Sequence, residues 1–281
     1  MDNMVNIPAR LWITLQFSHW NDKAGFVFAE LKRYHSAMDQ FNTEPPEGNT
    51  RAINAPNIII ALIALIIGIH AGLGLLSEQA FFDLFVRFSF IPARYSTDLN
   101  LPGSPYSEWI SPVSYALLHG DWVHVLTNSI WMLAFGSALA WRFGTARFLL
   151  FSVLCAIAGA GAHFLANPGS VAPTIGASAA ISGHMAAVGR FAFSSGGPLT
   201  RSPLQRKPSD FMQPAEPISV LLRNRSALIF IGIWFAVNLL FGLTGAGFGG
   251  QDVRIAWEAH LGGFLAGLLL FPLLDPVARK S

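Results

Sequence analysis

Of the 281 residues, 52% are hydrophobic and only 12% charged, about half the charged share of a soluble globular domain, so the chain cannot coat a water-facing surface. A formal net charge of +2 marks no nucleic acid as partner, and a single cysteine, Cys155, excludes an intramolecular disulfide and reads as a small apolar filler. Period-2 alternation, which an outer-membrane barrel would need, does not dominate the apolar stretches.

In chain order, residues 1–55 mix aromatics with charge and approach the first apolar run through Glu44, Pro45, Pro46, Glu47 and Gly48, a linker-like composition. One short helix is expected there, at about 23–38. Because more than fifty residues precede the first apolar run, that run does not resemble a cleavable signal peptide. Apolar runs follow at 57–76, 122–141, 147–166, 178–194, 227–243 and 255–274. Each is about 17 to 20 residues long, close to what crosses a ~30 Å hydrocarbon core. The fold class expected is an all-α polytopic membrane protein with six transmembrane helices, its membrane domain at 56–275 and a short tail at 276–281.

Between the runs, 77–112 is too polar to span yet holds Phe81, Phe82, Phe85, Phe88, Phe90 and Ile91, which suits a half-submerged interfacial loop. Residues 195–226 are rich in Pro, Ser and Arg and read as a solvated loop. Trp109, Trp122, Trp141 and Trp257 stand near predicted helix ends, as an interfacial aromatic belt places them. No internal repeat of the transporter kind is present.

Orientation follows local Lys and Arg bias. A cytoplasmic N-terminus puts fifteen basic residues inside, from Arg10 to Arg51, then Arg142 and Arg147, then Arg190 to Arg225, then Arg279 and Lys280; only Arg87, Arg94 and Arg254 fall outside. Both termini are therefore expected in the cytoplasm. The second, fourth and sixth runs then all enter from the outer face.

Near those three starts stand His119, His124 and Asn128, then Ser178, then His260. Polar groups inside a membrane are costly and normally face a wet cavity or a bundle interior, so their convergence in one leaflet points to function. Ser178 follows Gly176 and Ala177 where a stretch with Asn167, Pro168, Gly169 and Pro173 gives way to a helix. Irregular backbone at membrane depth survives only inside protein or beside a water cavity. The serine is expected to cap a helix N-terminus, whose free N–H groups can hold developing negative charge. Arg190, twelve residues on, lies ~18 Å further in and is expected to snorkel at the cytoplasmic boundary.

Gly263 and Gly267 form a G-x-x-x-G face behind His260, and Gly183 and Ala187 offer small residues on the fourth run. Close packing of these two helices would bring the Ser178 hydroxyl to the His260 imidazole, which can take its proton and return it to a leaving amine. No orienting acid is evident, since Glu258 lies about 200° around the helix from His260, so a dyad is expected. His124 and Asn128, four apart, share a face and suit an oxyanion hole better than a metal, and no H-E-x-x-H motif occurs. His119 is assigned to tying down the helix entrance, and Asp121 and Trp122 to anchoring that loop. His70, His163 and His184 are given no catalytic role, and Trp234 and Asn238, on one face of the fifth run, read as packing or gate residues.

These residues carry a family resemblance. His119-Gly120-Asp121-Trp122-Val123-His124 with Asn128, Gly176-Ala177-Ser178, and Ala259-His260 with Gly263, in that order, resemble the signature of the rhomboid family of intramembrane serine proteases over about 57–274. The resemblance implies a six-helix rhomboid core, Ser178 and His260 as catalytic dyad, and His124 with Asn128 stabilising the oxyanion. It implies substrates that are transmembrane segments of other proteins in the bilayer, admitted past a mobile fifth helix and an outer cap, for which the glycine-rich stretch Thr244 to Gly250 supplies flexibility. Ala179 stands where a glycine often follows the nucleophile, Ser182 where some members have an aromatic one turn below it, and Trp109-Ile110 where a Trp-Arg pair is common.

The activity expected is therefore acyl-enzyme hydrolysis of transmembrane segments in a bacterial inner membrane, the site opening to the external side, with no cofactor or metal. The alternative is a proteolytically silent rhomboid-like protein that holds membrane clients in the same groove. A serine-directed fluorophosphonate separates the two. A transporter or channel is disfavoured for want of repeats and of a charged relay.

Overall fold

A computed structural model describes residues 54–96, 106–193, 197–198, 208–244 and 256–277. The expected helix at 23–38, the glycine-rich cap at 245–250 and the last residues of the tail lie outside the described residues. Those described are helical, with no strand among them beyond one isolated bridge. Helix α1 (Asn57–Leu73) starts after Pro56 and buries Ile59 and Ile66, seven residues apart on one face. Its Ile60, Leu65 and Ile67 stay exposed, a surface suited to hydrocarbon.

The interfacial segment folds as α2 (Glu78–Phe88), whose N-cap Ser77 accepts a hydrogen bond from the Ala80 N–H. It continues through a 3-10 turn (Pro92–Tyr95) and α3 (Tyr106–Ser114) to a second such turn (Tyr115–Leu117). Phe81, Phe82, Tyr106 and Trp109 are exposed while Val86, Phe90 and Ile91 are buried, the amphipathic split expected of a half-submerged loop.

Helix α4 (Trp122–Trp131) is capped by Asp121, whose carboxylate accepts from the His124 N–H at 2.8 Å. It passes through a π turn (Met132–Gly136) into α5 (Ser137–Ala166), which breaks at Gly144 with φ 71°. Only glycine takes that conformation freely, so the second and third apolar runs are joined by a one-residue break rather than a loop. Helices α6 (Ser178–Ala192), α7 (Ile218–Leu221), α8 (Arg225–Thr244) and α9 (Trp257–Leu274) complete the order. By length and composition, Trp122–Ala166 and Trp257–Leu274 can cross a membrane; Asn57–Leu73 and Arg225–Leu240 are shorter apolar helices.

The centre of the bundle is α6, with fourteen of its fifteen residues buried. Small residues let α5 and α9 close on it. A Cβ on Gly263 would lie 2.0 Å from the Ala179 carbonyl oxygen, one on Gly267 2.4 Å from that of Gly183, and one on Gly183 2.4 Å from Cys155 Sγ. The expected G-x-x-x-G packing and the filler role of Cys155 are both visible here.

The far end of α6 departs from expectation. Arg190 does not snorkel: it is 6% exposed, donates from Nε to the Glu216 carbonyl (2.9 Å) and lies over the Phe271 ring. Part of the loop expected to be solvated packs beneath the bundle, burying Asp210, Phe211, Ala215 and Leu221, while 217–220 and 222–223 stay exposed. Arg142, read only as a basic loop residue, is fully buried and forms a bidentate pair with Asp275 (2.8 Å to each oxygen). Its Nη1 also donates to the carbonyls of Phe211 and Gln213 (2.6 and 2.7 Å), tying α5, this loop and the end of α9 together. Low hydropathy disguised these residues because their partners are backbone carbonyls and, for Arg142, a carboxylate 133 residues away, none of which sequence spacing reveals. Arg142→Ala leaves Asp275 buried without its cation, and a loss of about 3–5 kcal/mol is expected for breaking such a pair, read as a lowered unfolding temperature in detergent.

Candidate active site

The loop before α6 is held by the outer segment. Phe90 and Thr174 exchange both backbone hydrogen bonds (3.1 and 2.8 Å), Ala93 N–H donates to Ser170 O (2.9 Å), and Gly176 N–H donates to Tyr115 O (2.9 Å). Tyr115 is itself fixed through its hydroxyl, which donates to Ala156 O on α5 (2.8 Å). Ser96 Oγ donates to the Pro168 carbonyl. These bonds satisfy the irregular backbone that precedes Ser178.

Gly176 has φ 110°, a region side-chain-bearing residues rarely enter. A Cβ there would also fall 2.6 Å from His124 Nε2 and 3.5 Å from Asn128 Nδ2. The glycine is thus required twice, by its backbone and by the two polar side chains pressed against it two residues before the serine. Asn128 is 3% exposed, and its buried Nδ2 finds no hydrogen-bond partner among the described residues. An amide donor in that state is costly to a folded protein, and it is poised to bind an oxygen.

Ser178 is the first residue of α6, and the N-cap position falls to Ala177. The expectation that the serine caps the helix is corrected: its Oγ meets His260 Nε2 at 2.7 Å. His260, in the first turn of α9, reaches Ser178 because Gly263, three residues on, lies directly against the Ala179 backbone. One turn below, Ser182 Oγ donates back to the Ser178 carbonyl (2.7 Å), so it gives the imidazole no support.

That support comes from α8. His260 Nδ1 is hydrogen-bonded to Asn238 Oδ1, a contact missed when Asn238 was assigned to packing or gating. The signal was available: between 227 and 243 Asn238 is the one amide or charged side chain, and a lone polar group in a span ordinarily has a partner.

His119 is buried with its ring edge-on to His124 at 4.9 Å, consistent with fixing the start of α4. Glu258 points away from His260, taking a hydrogen bond from Asn167 Nδ2 (3.3 Å) and pairing with His163 (3.4 Å). His184 bonds Ser152 on α5 (2.8 Å) amid Phe148 and Phe151, and His70 meets the Trp122 edge. None of these reaches Ser178. Among the described residues no group of three or more His, Cys, Asp or Glu is arranged to hold a metal ion.

Chemically, a hydroxyl on an imidazole nitrogen, beside an unsatisfied buried amide donor, is an arrangement for nucleophilic acyl transfer. A comparison with curated proteins finds no match. A family model described as the Rhomboid domain matches residues 106–275, a range that contains His124, Asn128, Ser178, Asn238 and His260. The chain belongs to the rhomboid family of membrane proteins, whose members are typically intramembrane serine proteases that act on membrane-protein substrates within the bilayer.

Proposed function

We propose that this protein is an intramembrane serine endopeptidase with Ser178 as nucleophile and His260 as general base, acting on transmembrane segments of other proteins. The observation that carries the reading is the 2.7 Å contact between Ser178 Oγ and His260 Nε2. Ser178 Oγ attacks the scissile carbonyl carbon while His260 Nε2 takes its proton. The tetrahedral oxyanion is met by Asn128 Nδ2 and His124, with the N–H groups at the start of α6 nearby. Collapse breaks the C–N bond, His260 returns the proton to the leaving nitrogen, and a water deprotonated by the same imidazole hydrolyses the ester.

Six spans are assigned to α1, α4 with α5 as far as the Gly144 break, the rest of α5, then α6, α8 and α9. Residues 1–55 and 276–281 lie in the cytoplasm and 56–275 form the membrane domain, as the basic-residue bias favours. At 1.5 Å per residue the fifteen residues of α6 span ~22 Å, short of a ~30 Å core. With its inner end at the cytoplasmic boundary, Ser178 sits roughly 8 Å beneath the external surface, where water can reach it. A bacterial inner membrane with the site open to the periplasm fits this orientation.

The test is purified protein in liposomes with a single-span reporter. Cleavage inside the reporter's span near its outer end is expected, and Asn128→Ala should lower kcat about 10²- to 10³-fold, the cost of removing one oxyanion donor, with the unfolding temperature unchanged. A reporter that binds stably to the wild-type protein and stays intact would favour the silent, client-holding alternative instead.

A further inference from the structure

We infer that Asn238 is a positioning residue for His260, its amide holding the imidazole as the Nδ1–H tautomer so that bare Nε2 faces Ser178. The inference rests on the reading of Ser178 as nucleophile and adds a third member to that pair. An Asn amide has a donating end and an accepting end. On α8 the donating end is already committed, since Nδ2 donates to the carbonyl of Trp234 one turn back at 2.8 Å. The accepting end, Oδ1, is left for His260 Nδ1.

An acceptor there requires a proton on Nδ1, and a neutral imidazole carries only one N–H. Nε2 is then the ring's acceptor, and it is the atom 2.7 Å from Ser178 Oγ. The reversed amide would set its oxygen against the Trp234 carbonyl and its N–H₂ against the ring nitrogen. The Nε2–H tautomer would then aim its own proton at the serine oxygen that must give one up. Only one orientation of the amide and one tautomer let every group in the chain from Trp234 through Asn238 and His260 to Ser178 donate and accept in turn.

An amide suits this depth. It supplies the acceptor without burying a carboxylate where charge is expensive. The residue is also firmly placed: Trp234 stacks on Phe264 of α9 at 5.1 Å and Phe235 meets the same ring edge-on at 5.4 Å. The bond therefore depends on α8 lying against α9, and no other side chain is seen to bond His260 Nδ1 among the described residues.

The experiment uses the full-length protein in liposomes. Asn238→Leu, nearly isosteric and without an acceptor, should lower kcat roughly 10- to 100-fold with KM within about twofold, less than the ~10⁴-fold that a wrong tautomer costs in a serine triad held by a carboxylate. Asn238→Asp, held as the neutral acid at this depth so that its O–H serves the Trp234 carbonyl and its other oxygen serves Nδ1, should recover most of that loss. In parallel, ¹⁵N NMR of histidine-labelled protein, with His260→Ala used to assign the resonance, should show a pyrrole-type Nδ1 and a pyridine-type Nε2 in the wild type and a tautomer average in Asn238→Leu. An undiminished kcat in Asn238→Leu overturns the inference, as does a fall in kcat with the tautomer unchanged. An Nε2–H tautomer in the wild type overturns it with no variant needed. If Ser178→Ala still cleaves, the proteolytic reading fails whatever Asn238 does; if Ser178→Ala is inactive and Asn238→Leu is not impaired, only the role of Asn238 falls.

Discussion

Ser178→Ala and His260→Ala are each expected to abolish cleavage of a single-span reporter, by a factor on the order of 10⁶, as when a nucleophile or its base is removed from a serine protease. The double variant should be no worse than either single one, because the two groups act in one step: without the imidazole the hydroxyl is a poor nucleophile, and without the hydroxyl the imidazole has no proton to move. Ser178→Ala does not disturb packing. Ser178 Oγ makes its bond to His260 rather than capping α6, and Tyr115 and Gly176 hold the preceding loop independently of it. Thermal unfolding of Ser178→Ala should therefore match the wild type while the cleavage products disappear in both variants, and a folded, active Ser178→Ala protein would remove the mechanism.

Gly263→Val should be the most damaging change outside the site. The first carbon it adds falls 2.0 Å from the Ala179 carbonyl oxygen and 2.7 Å from its carbonyl carbon, and backbone cannot move aside as the tip of a flexible side chain can. Accommodating it means pushing α9 off α6, which separates His260 from Ser178 and opens the most buried face of the bundle. Loss of activity together with a loss of at least the ~1–3 kcal/mol typical of overpacking is expected, read as an unfolding temperature well below wild type or as failure to purify as a single species. Gly267→Val should behave similarly against the Gly183 backbone. Gly68→Ala and Gly72→Ala on α1, where an added Cβ meets nothing within 4 Å, are the controls and should leave both stability and cleavage intact.

What sequence could reveal here tracks how local each interaction is. The pairing of Gly263 and Gly267 with Gly183 was legible because helix approach is written as spacing, and His124 with Asn128 because i, i+4 puts them on one face. Ser178 and His260 were legible only jointly, as two polar residues at matching depth on separate runs. Asn238 escaped because its partner lies 22 residues away on another helix, so no spacing rule links them. Arg142 and Arg190 escaped for a related reason: both bond backbone carbonyls of 211–216, acceptors that every residue type provides equally, and the side-chain partner of Arg142, Asp275, lies 133 residues from it. That the cap expected at Ser178 falls on Ala177 instead follows from the same limit, since periodicity places a helix start only to within a residue or two.

The most direct test of the Ser178–His260 pair is covalent labelling of the liposome-embedded protein with a fluorophosphonate, followed by peptide mapping. One adduct on Ser178 is expected in the wild type, its formation slowed at least a hundredfold in His260→Ala although the serine is still present. Labelling of Ser178 at an undiminished rate without His260, or of a different serine in the wild type, would contradict it.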